Sequence, residues 1–412
     1  MMQDGIRNCR SCGAERLHPI FSLGRMPLAN ALIAPAQLSD SEPRYPLDLV
    51  LCRACGLVQI TETVPPRILF AHYPYFSSMA QTTLDHVERL VRRNISELGL
   101  TSSNLVVEVA SNDGYLLQYY LAAGIPVLGI EPAREPAEFA IRERGVPTIE
   151  SFFTPAVARQ LKQAGKTADV IHAHNVLAHV PAPRRLIAGF AELLAPDGTV
   201  IVEVPYVRDL IEKHEFDTVY HEHYSYFSLT SLLPIFSSGG LEIKDVERIA
   251  VHGGSLRLFA GHEGRCSPSA RVSELLAEEE EWGAREEQFY AGFAQGVASL
   301  RETLLDTIER YRAAGKRIAA YGASAKGCIL LNYLGAGADL IEFVVDRAPG
   351  KQGHYIPGVR IPIRSVEALL QEMPDFALLL AWNVADEVLA QQEGYRARGG
   401  RFIIPLPQLT IV

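Results

Sequence analysis

The clearest hydrophobic pattern in the chain is Asn104–Pro132, NLVVEVASNDGYLLQYYLAAGIPVLGIEP. Leu105 to Ala110 is apolar and β-branched apart from Glu108, which predicts a strand buried on both faces at the centre of a parallel sheet. The turn Ser111-Asn112-Asp113-Gly114 follows, then a short helix from Tyr115 to Ala123 stopped by Gly124 and a second strand from Val127 to Ile130 ending in Glu131. This is a βαβ unit. The same alternation predicts a strand just before Glu150-Ser-Phe-Phe153, one over Ala168–Asn175, a helix opening after His179-Val-Pro-Ala-Pro183, and a strand over Gly198–Pro205. A final strand pair spans Leu241–Gly261 with Gly253-Gly254 at the break, and a helix from about Gln81 to Leu98 precedes the sheet. Cys266–Gly315 reads as a helical connection, with the Glu278–Glu281 run on a solvated face. From Lys316 a second α/β pattern begins: strands over Ile318–Tyr321, Phe343–Val345, Phe376–Ala381 and Phe402–Ile404, and a helix over Cys328–Leu334.

Composition narrows the class. A chain of 412 residues is too long for one typical core and suggests two or three domains. The net charge of −9 argues against bulk affinity for nucleic acid or an anionic membrane surface. No apolar run spans a bilayer and the N-terminus lacks the apolar core of a signal peptide, so a cytoplasmic protein is expected. Four of the six cysteines form two pairs, Cys9-x-x-Cys12-Gly and Cys52-x-x-Cys55-Gly. Each has the form of a zinc knuckle, and two knuckles complete a closed tetrahedral site whose role is to fold a small domain. Two unrelated redox pairs are the alternative reading. Between the knuckles lie short apolar pieces, and the aromatic-serine loop Phe70–Ser78 is either one wall of a pocket or core.

A βαβ unit binds its ligand at the strand ends, so the turn residues report that ligand's charge. A dinucleotide site needs G-x-G-x-x-G for the pyrophosphate; this turn has one glycine and an Asp where the anion would sit. Glu108, Asp113 and Glu131 suit a cation carrying a ribose, as S-adenosylmethionine does, with Glu131 placed for the ribose hydroxyls. An ordinary α/β turn with an acidic rim is the alternative. Further along, Val219–Phe227 packs Tyr220, His221, Glu222, His223, Tyr224 and Tyr226 into nine residues. A histidine whose pKa a neighbouring carboxylate moves across neutrality implies a base. A strand presenting His221 and His223 on one face to a metal, and a solvated polar loop, are the competing readings. The turn Gly322-Ala-Ser-Ala-Lys-Gly327 offers backbone N–H groups, Ser324 and Lys326 at a helix N-terminus, equipment for a phosphate or diphosphate. It is not a Walker A loop, and a close-packing turn without ligand is its alternative.

Taken together, the two knuckles, VEVASNDGYLL, Tyr220-His-Glu-His-Tyr224, and the C-terminal YGASAKG, LNY, VVDRAPGKQG and PGVRIPI closely resemble the three-domain nucleotide-sugar C-methyltransferases of deoxysugar biosynthesis. The resemblance covers essentially the whole chain. It implies an α/β protein in three parts: a small zinc-binding domain (residues 1–70), a class I, Rossmann-like methyltransferase domain for S-adenosylmethionine (71–265), and a second Rossmann-like domain (266–412) for a dTDP-linked 4-keto-deoxyhexose. The donor site is then expected from Glu108, Ala110, Asn112, Asp113, Gly114, Glu131, Phe153 and Asn175, and the sugar nucleotide site from Ser324, Lys326 and Asp346. Tyr75, His179, Tyr220, Glu222 and His223 would line the reaction centre. The expected chemistry is deprotonation beside a ketone by His223, with Glu222 as its orienter or a ligand to the sugar and Tyr220 and Tyr75 as hydroxyl contacts to the enolate oxygen. His179 is the next candidate base. C3 is the expected position, C5 the other, in a monomer acting on a small molecule and not on nucleic acid or membrane. An O- or N-methyltransferase and a non-catalytic zinc-dependent assembly protein are the rival functions.

Overall fold

A computed structural model describes residues 6–69, 76–251, 253–265 and 267–412. Three sheets organise it. The first begins as an antiparallel meander of β1 (Leu17–Pro27), β2 (Arg44–Cys52) and β3 (Val58–Ile60). Its apolar positions Leu47, Leu49, Leu51, Val58 and Ile60 are buried almost completely, so the pieces read from the sequence as short are held as one sheet by a shared core.

The second sheet has seven strands. β4 (Val106–Val109), β5 (Val127–Glu131), β6 (Thr148–Glu150), β7 (Ala168–His174) and β8 (Leu194–Pro205) run parallel in the spatial order β8-β7-β4-β5-β6. All four residues of β4 are buried, as a strand covered on both faces requires. The chain runs outward through β5 and β6, then returns to the other side of β4 for β7. Ligands bind at such a reversal, outside the carboxyl ends of β4 and β7.

Between β8 and the antiparallel end of this sheet the chain makes one excursion, and it leads to the first sheet. β9 (Ser225–Tyr226) pairs antiparallel with β3, Val58 opposite Tyr226 and Gln59 opposite Ser225. The residues before it, Tyr220–His223, form a turn rather than a strand, so His221 and His223 do not share a face. His221 Nε2 bonds the Pro46 carbonyl at 3.2 Å, and His223 turns the other way. β10 (Leu241–Ile249) and β11 (Ser255–His262) then close the second sheet through β8.

After the helices Ala270–Glu281 and Phe293–Ala313, the third sheet is built from β12 (Ile318–Tyr321), β13 (Val344–Val345), β14 (Ile363–Arg364), β15 (Phe376–Leu379), β16 (Arg401–Ile404) and β17 (Thr410–Ile411). Its order β14-β13-β12-β15-β16-β17 repeats the reversal, now at β12. One apolar cluster runs from Leu47 and Ile60 through Phe216 and Val219 to Ile329 and Leu331, joining all three parts. Polar ties reinforce it: both Glu42 carboxylate oxygens accept from Gly358 N, and Arg360 donates to the carbonyls of Leu38 and Asp40. Among the described residues no helix is long and apolar enough to cross a membrane.

Candidate active site

The carboxyl ends of β4, β5 and β7 open into a cavity of about 670 Å³. Its wall includes Ala110, Asn112, Glu131, Phe153, His174 and Asn175 from the second sheet. Three non-glycine residues here have left-handed backbones: Ala110 (φ 55°), Asn112 (φ 48°) and Asn175 (φ 56°). Such conformations are held against a local energetic preference and concentrate at binding sites. They bring main-chain groups to the rim. Glu131 Oε2 accepts from Asn112 N at 2.8 Å and Oε1 from Ala133 N at 2.7 Å, so the carboxylate is locked while each oxygen keeps a second lone pair for a ligand hydroxyl. Burial pushes this carboxyl up to about 7, opposed by the two backbone donors. Gly129 beneath it is required, since a Cβ there would lie 2.5 Å from Ser111 Oγ.

Not every expected donor residue reaches the cavity. Glu108 points into the sheet layer, fully buried; burial and the neighbouring Asp113 and Glu131 raise its pKa well above the carboxylate range, against a hydrogen bond from Tyr115. Asp113 is also sealed off, accepting from Ser78 Oγ and lying 3.4 Å from Arg144 Nη2. Gly114 packs against Ala140 and Val146. These three support the turn from behind. Phe153 leans on Phe190 at a ring distance of 5.5 Å, with the more exposed Phe152 beside it on the wall. Ser77 N donates to Asn112 Oδ1, tying the loop before the long helix to the strand end. Tyr75 lies outside the described residues.

The opposite wall carries His179, Tyr220 and His223. His223 Nδ1 lies 2.9 Å from the Thr218 carbonyl and Nε2 lies 2.9 Å from Tyr220 Oη. A carbonyl only accepts, so the neutral ring carries its proton on Nδ1 and its lone pair on Nε2, towards Tyr220. Tyr226 Oη donates to the same carbonyl at 3.4 Å. His179 stacks edge-on to His223 with centroids 4.6 Å apart, and burial lowers its pKa to about 4. Glu222 does not take the orienting position expected of it: its Oε1 accepts from Asn30 Nδ2 at 2.7 Å, and it is absent from the cavity wall. The Thr218 carbonyl orients the imidazole instead.

From the third sheet, Ser324, Ala325, Lys326 and Lys351 complete the wall. Ser324 caps its helix, Oγ accepting from Gly327 N at 3.1 Å. Asp346 sits off the cavity, accepting from Ala323 N and Ala348 N at 2.8 Å and facing Lys351 Nζ at 3.6 Å. The sequence reading passed over Asn30, His174, Thr218, Glu215 and Lys351. Only His174 had a signal: with His172 it occupies alternate positions of a predicted strand, and its Nδ1 lies 3.1 Å from Glu203 on the neighbouring strand.

The four knuckle cysteines converge. Their sulfurs lie within 4.8 Å of one another, with Cys9–Cys55 at 3.5 Å and Cys12–Cys52 at 3.6 Å. A tetrahedron of thiolates about 2.3 Å from one zinc has edges of about 3.8 Å, so the set fits that ion and leaves no open position. Gly13 and Gly56 follow each knuckle at φ 76° and 78°, and Ser11 N points at Cys9 Sγ at 3.3 Å. Cys9, Cys52 and Cys55 belong to the apolar cluster that underlies β7 and β8.

An acidic locked carboxylate at a Rossmann reversal, facing a histidine–tyrosine pair across one cavity, defines a methyltransferase that uses S-adenosylmethionine. Family models agree in order along the chain: a zinc binding domain over residues 9–70, a methyltransferase domain over 84–246 and a C-methyltransferase C-terminal domain over 250–407. C-methyltransferase NovU of Streptomyces niveus is 39% identical over 100% of this chain and 99% of its own length. The chain therefore belongs to the family of zinc-binding, S-adenosylmethionine-dependent C-methyltransferases. A ubiquinone biosynthesis O-methyltransferase of Actinobacillus pleuropneumoniae is 31% identical over 27% of this chain and 57% of its own. Among solved structures, magnesium protoporphyrin IX methyltransferase from Synechocystis PCC 6803 has 17% identity over 44% of this chain and 79% of its own at a TM-score of 0.34, too low to say anything of the site.

Proposed function

We propose that the protein methylates a carbon beside the ketone of a dTDP-linked 4-keto-deoxyhexose, at C3, through an enolate. The observation that carries this reading is the fixed tautomer of His223, whose lone pair meets Tyr220 Oη at 2.9 Å on the cavity wall opposite the donor side. Oxygen or nitrogen attacks with a lone pair it already holds and can shed its proton during or after transfer, whereas a carbon acid has no such pair until a base removes its proton. S-adenosylmethionine, when bound, supplies an electrophilic methyl on a sulfonium. Asn112, Glu131 and Asn175 would hold it, Glu131 at the ribose hydroxyls.

In this reading His223 draws the proton next to the ketone, directly or through the Tyr220 hydroxyl that lies between them. The pair of electrons left on carbon delocalises onto the ketone oxygen, where a tyrosine hydroxyl donates. With the donor bound, that carbon would be the nucleophile for its methyl group, and the proton would leave on the imidazole of His223. His179, neutral at working pH because burial lowers its pKa to about 4, packs the imidazole in place and takes up no second proton. The sugar nucleotide lies against the third-sheet wall of Ser324, Lys326 and Lys351. The test is incubation with carbon-labelled S-adenosylmethionine and a panel of dTDP-4-keto sugars, followed by NMR of the product. A new C–CH₃ signal at C3 is expected; label on oxygen or nitrogen, or at C5, would reject the reaction or the position respectively.

A further inference from the structure

The third-sheet wall contains a charge arrangement unlike a phosphate cradle. The stem of Lys326 borders the cavity, but its ammonium is sealed from solvent and hydrogen-bonded to no described residue. It lies 4.5 Å over the ring of Trp382. Trp382 Nε1 donates at 2.7 Å to Asp217 Oδ2, fixing a fully buried carboxylate near the same ammonium. Glu215, only 4% exposed, is the second carboxylate there. Its Oε1 and Asp217 Oδ1 also lack a described partner. Neither acid lies within ion-pair distance of the lysine, as no such pair is formed at 4.0 Å or less.

Glu215 also marks a boundary. It and Asn383 line both the main cavity and a second one of about 740 Å³ between the second and third sheets, walled by Arg248, Lys213 and Gln408. Gly253 presses on the carboxylate from the β10–β11 turn: a Cβ there would stand 2.5 Å from Glu215 Oε1. The acid is thus held at the junction.

Three buried polar groups, one donor and two acceptors, cannot all be satisfied by a phosphate. A phosphate accepts from Lys326, yet it draws the ammonium's favour away from Glu215 and Asp217, which burial pushes up towards the neutral form, and meets either acid as a like charge whenever that acid is ionised. A neutral ligand with both a hydroxyl to donate and an oxygen to accept satisfies the set. We propose that Lys326 and Glu215 form the subsite that reads the uncharged hydroxyl and carbonyl oxygens of the acceptor sugar, with Asp217 and Trp382 positioning the lysine, and that the diphosphate lies elsewhere in the cleft. This rests on the sugar nucleotide reading above. Lys326 Nζ donates to a sugar oxygen, and Glu215 accepts from a sugar hydroxyl. Left unpaired, those buried groups discriminate against an acceptor that lacks the matching oxygen.

Calorimetry with dTDP-glucose and with dTDP alone, on wild type, Glu215→Gln and Lys326→Met, tests it. Glu215→Gln keeps the shape of the side chain and removes only its charge. The expected result is at least about tenfold weaker dTDP-glucose binding in both variants with dTDP binding unchanged. If Lys326 meets the diphosphate, Lys326→Met weakens both probes equally and Glu215→Gln tightens dTDP; that pattern overturns the assignment. Unchanged binding of both probes in Glu215→Gln also overturns it, and this variant decides the matter should Lys326→Met fail to fold with Asp217 left uncompensated. A wild-type protein that binds neither probe removes the sugar nucleotide reading itself, and this subsite with it.

Discussion

Tyr220 Oη and His223 Nε2 lie 2.9 Å apart, with the far side of the imidazole held by the Thr218 carbonyl. The two stand three positions apart in sequence, and a turn rather than a strand brings them together. The hydroxyl gives its proton to a ring nitrogen that has no other tautomer available while neutral. In the proposed reaction Tyr220 is therefore placed to do more than contact the ketone, since its hydroxyl lies against the nitrogen that takes the proton.

His223→Asn is expected to lower kcat by about 10²–10⁴, the usual worth of a general base, with acceptor KM little changed. Tyr220→Phe should fall within the same range, since it breaks the same proton path. Steady-state kinetics checks both. A Tyr220→Phe enzyme of near-normal kcat would show that the imidazole reaches the substrate alone.

Glu131 links donor binding to pH. Burial raises its carboxyl to about 7, above its ordinary value of 4.5, so the folded state without ligand holds the proton more tightly than the unfolded chain. The sign follows: this group leaves stability unaffected below about 4.5 and lowers it as pH rises towards 7. A ribose hydroxyl and a cationic donor favour the ionised form, so S-adenosylmethionine should bind more tightly at pH 8 than at pH 6 and release a proton near pH 6.5. Calorimetry in two buffers of different ionisation enthalpy measures that proton. Glu131→Gln should abolish the release and weaken S-adenosylmethionine and S-adenosylhomocysteine alike, by about 1.5–3 kcal/mol.

Zinc removal should reach the reaction centre. β3, which directly follows the second knuckle, pairs with β9, Ile60 N donates to Tyr224 O, and Tyr224 Oη donates to Val64 O, so the Tyr220–Tyr226 segment hangs on the zinc module. One zinc per chain is expected by elemental analysis. Cys52→Ser should lower the melting temperature by several degrees, at about 2–4 °C per kcal/mol for a domain of this size, and lower kcat of the folded fraction. S-adenosylhomocysteine affinity should be retained, because Glu131 ends β5 and Asn112 lies in the turn after β4, both in the second sheet. A metal-free protein with normal melting and turnover would contradict this.

Gly253→Ala should raise acceptor KM and leave donor affinity unchanged. Its backbone sits at φ 97°, a region alanine enters at a strain of about 1–3 kcal/mol, and the added carbon would strike the Glu215 carboxylate. Parallel titration of the two ligands separates this from general destabilisation, which would weaken both.

The local elements were legible because each is written in a short window. The run Leu105–Ala110 is apolar throughout apart from Glu108, which announces a two-sided strand, and the paired cysteines with following glycines announce a knuckle whatever surrounds them. Glu131 was readable as the acidic end of its strand, though its lock onto Asn112 N and Ala133 N was not. What no window holds is the pairing of β3 with β9 across more than half of the second sheet's sequence. That pairing turns Tyr220–His223 into a bend, sends Glu222 to Asn30, and leaves the orienting of His223 to a main-chain carbonyl, a group every residue has and no sequence marks. Likewise Lys326 looks like a phosphate ligand beside its own helix; only the packing of Glu215, Asp217 and Trp382 against it, from segments distant in the chain, decides the charge it meets. Local chemistry follows from residue type, but the field around a buried group is the sum over whatever the fold brings near it.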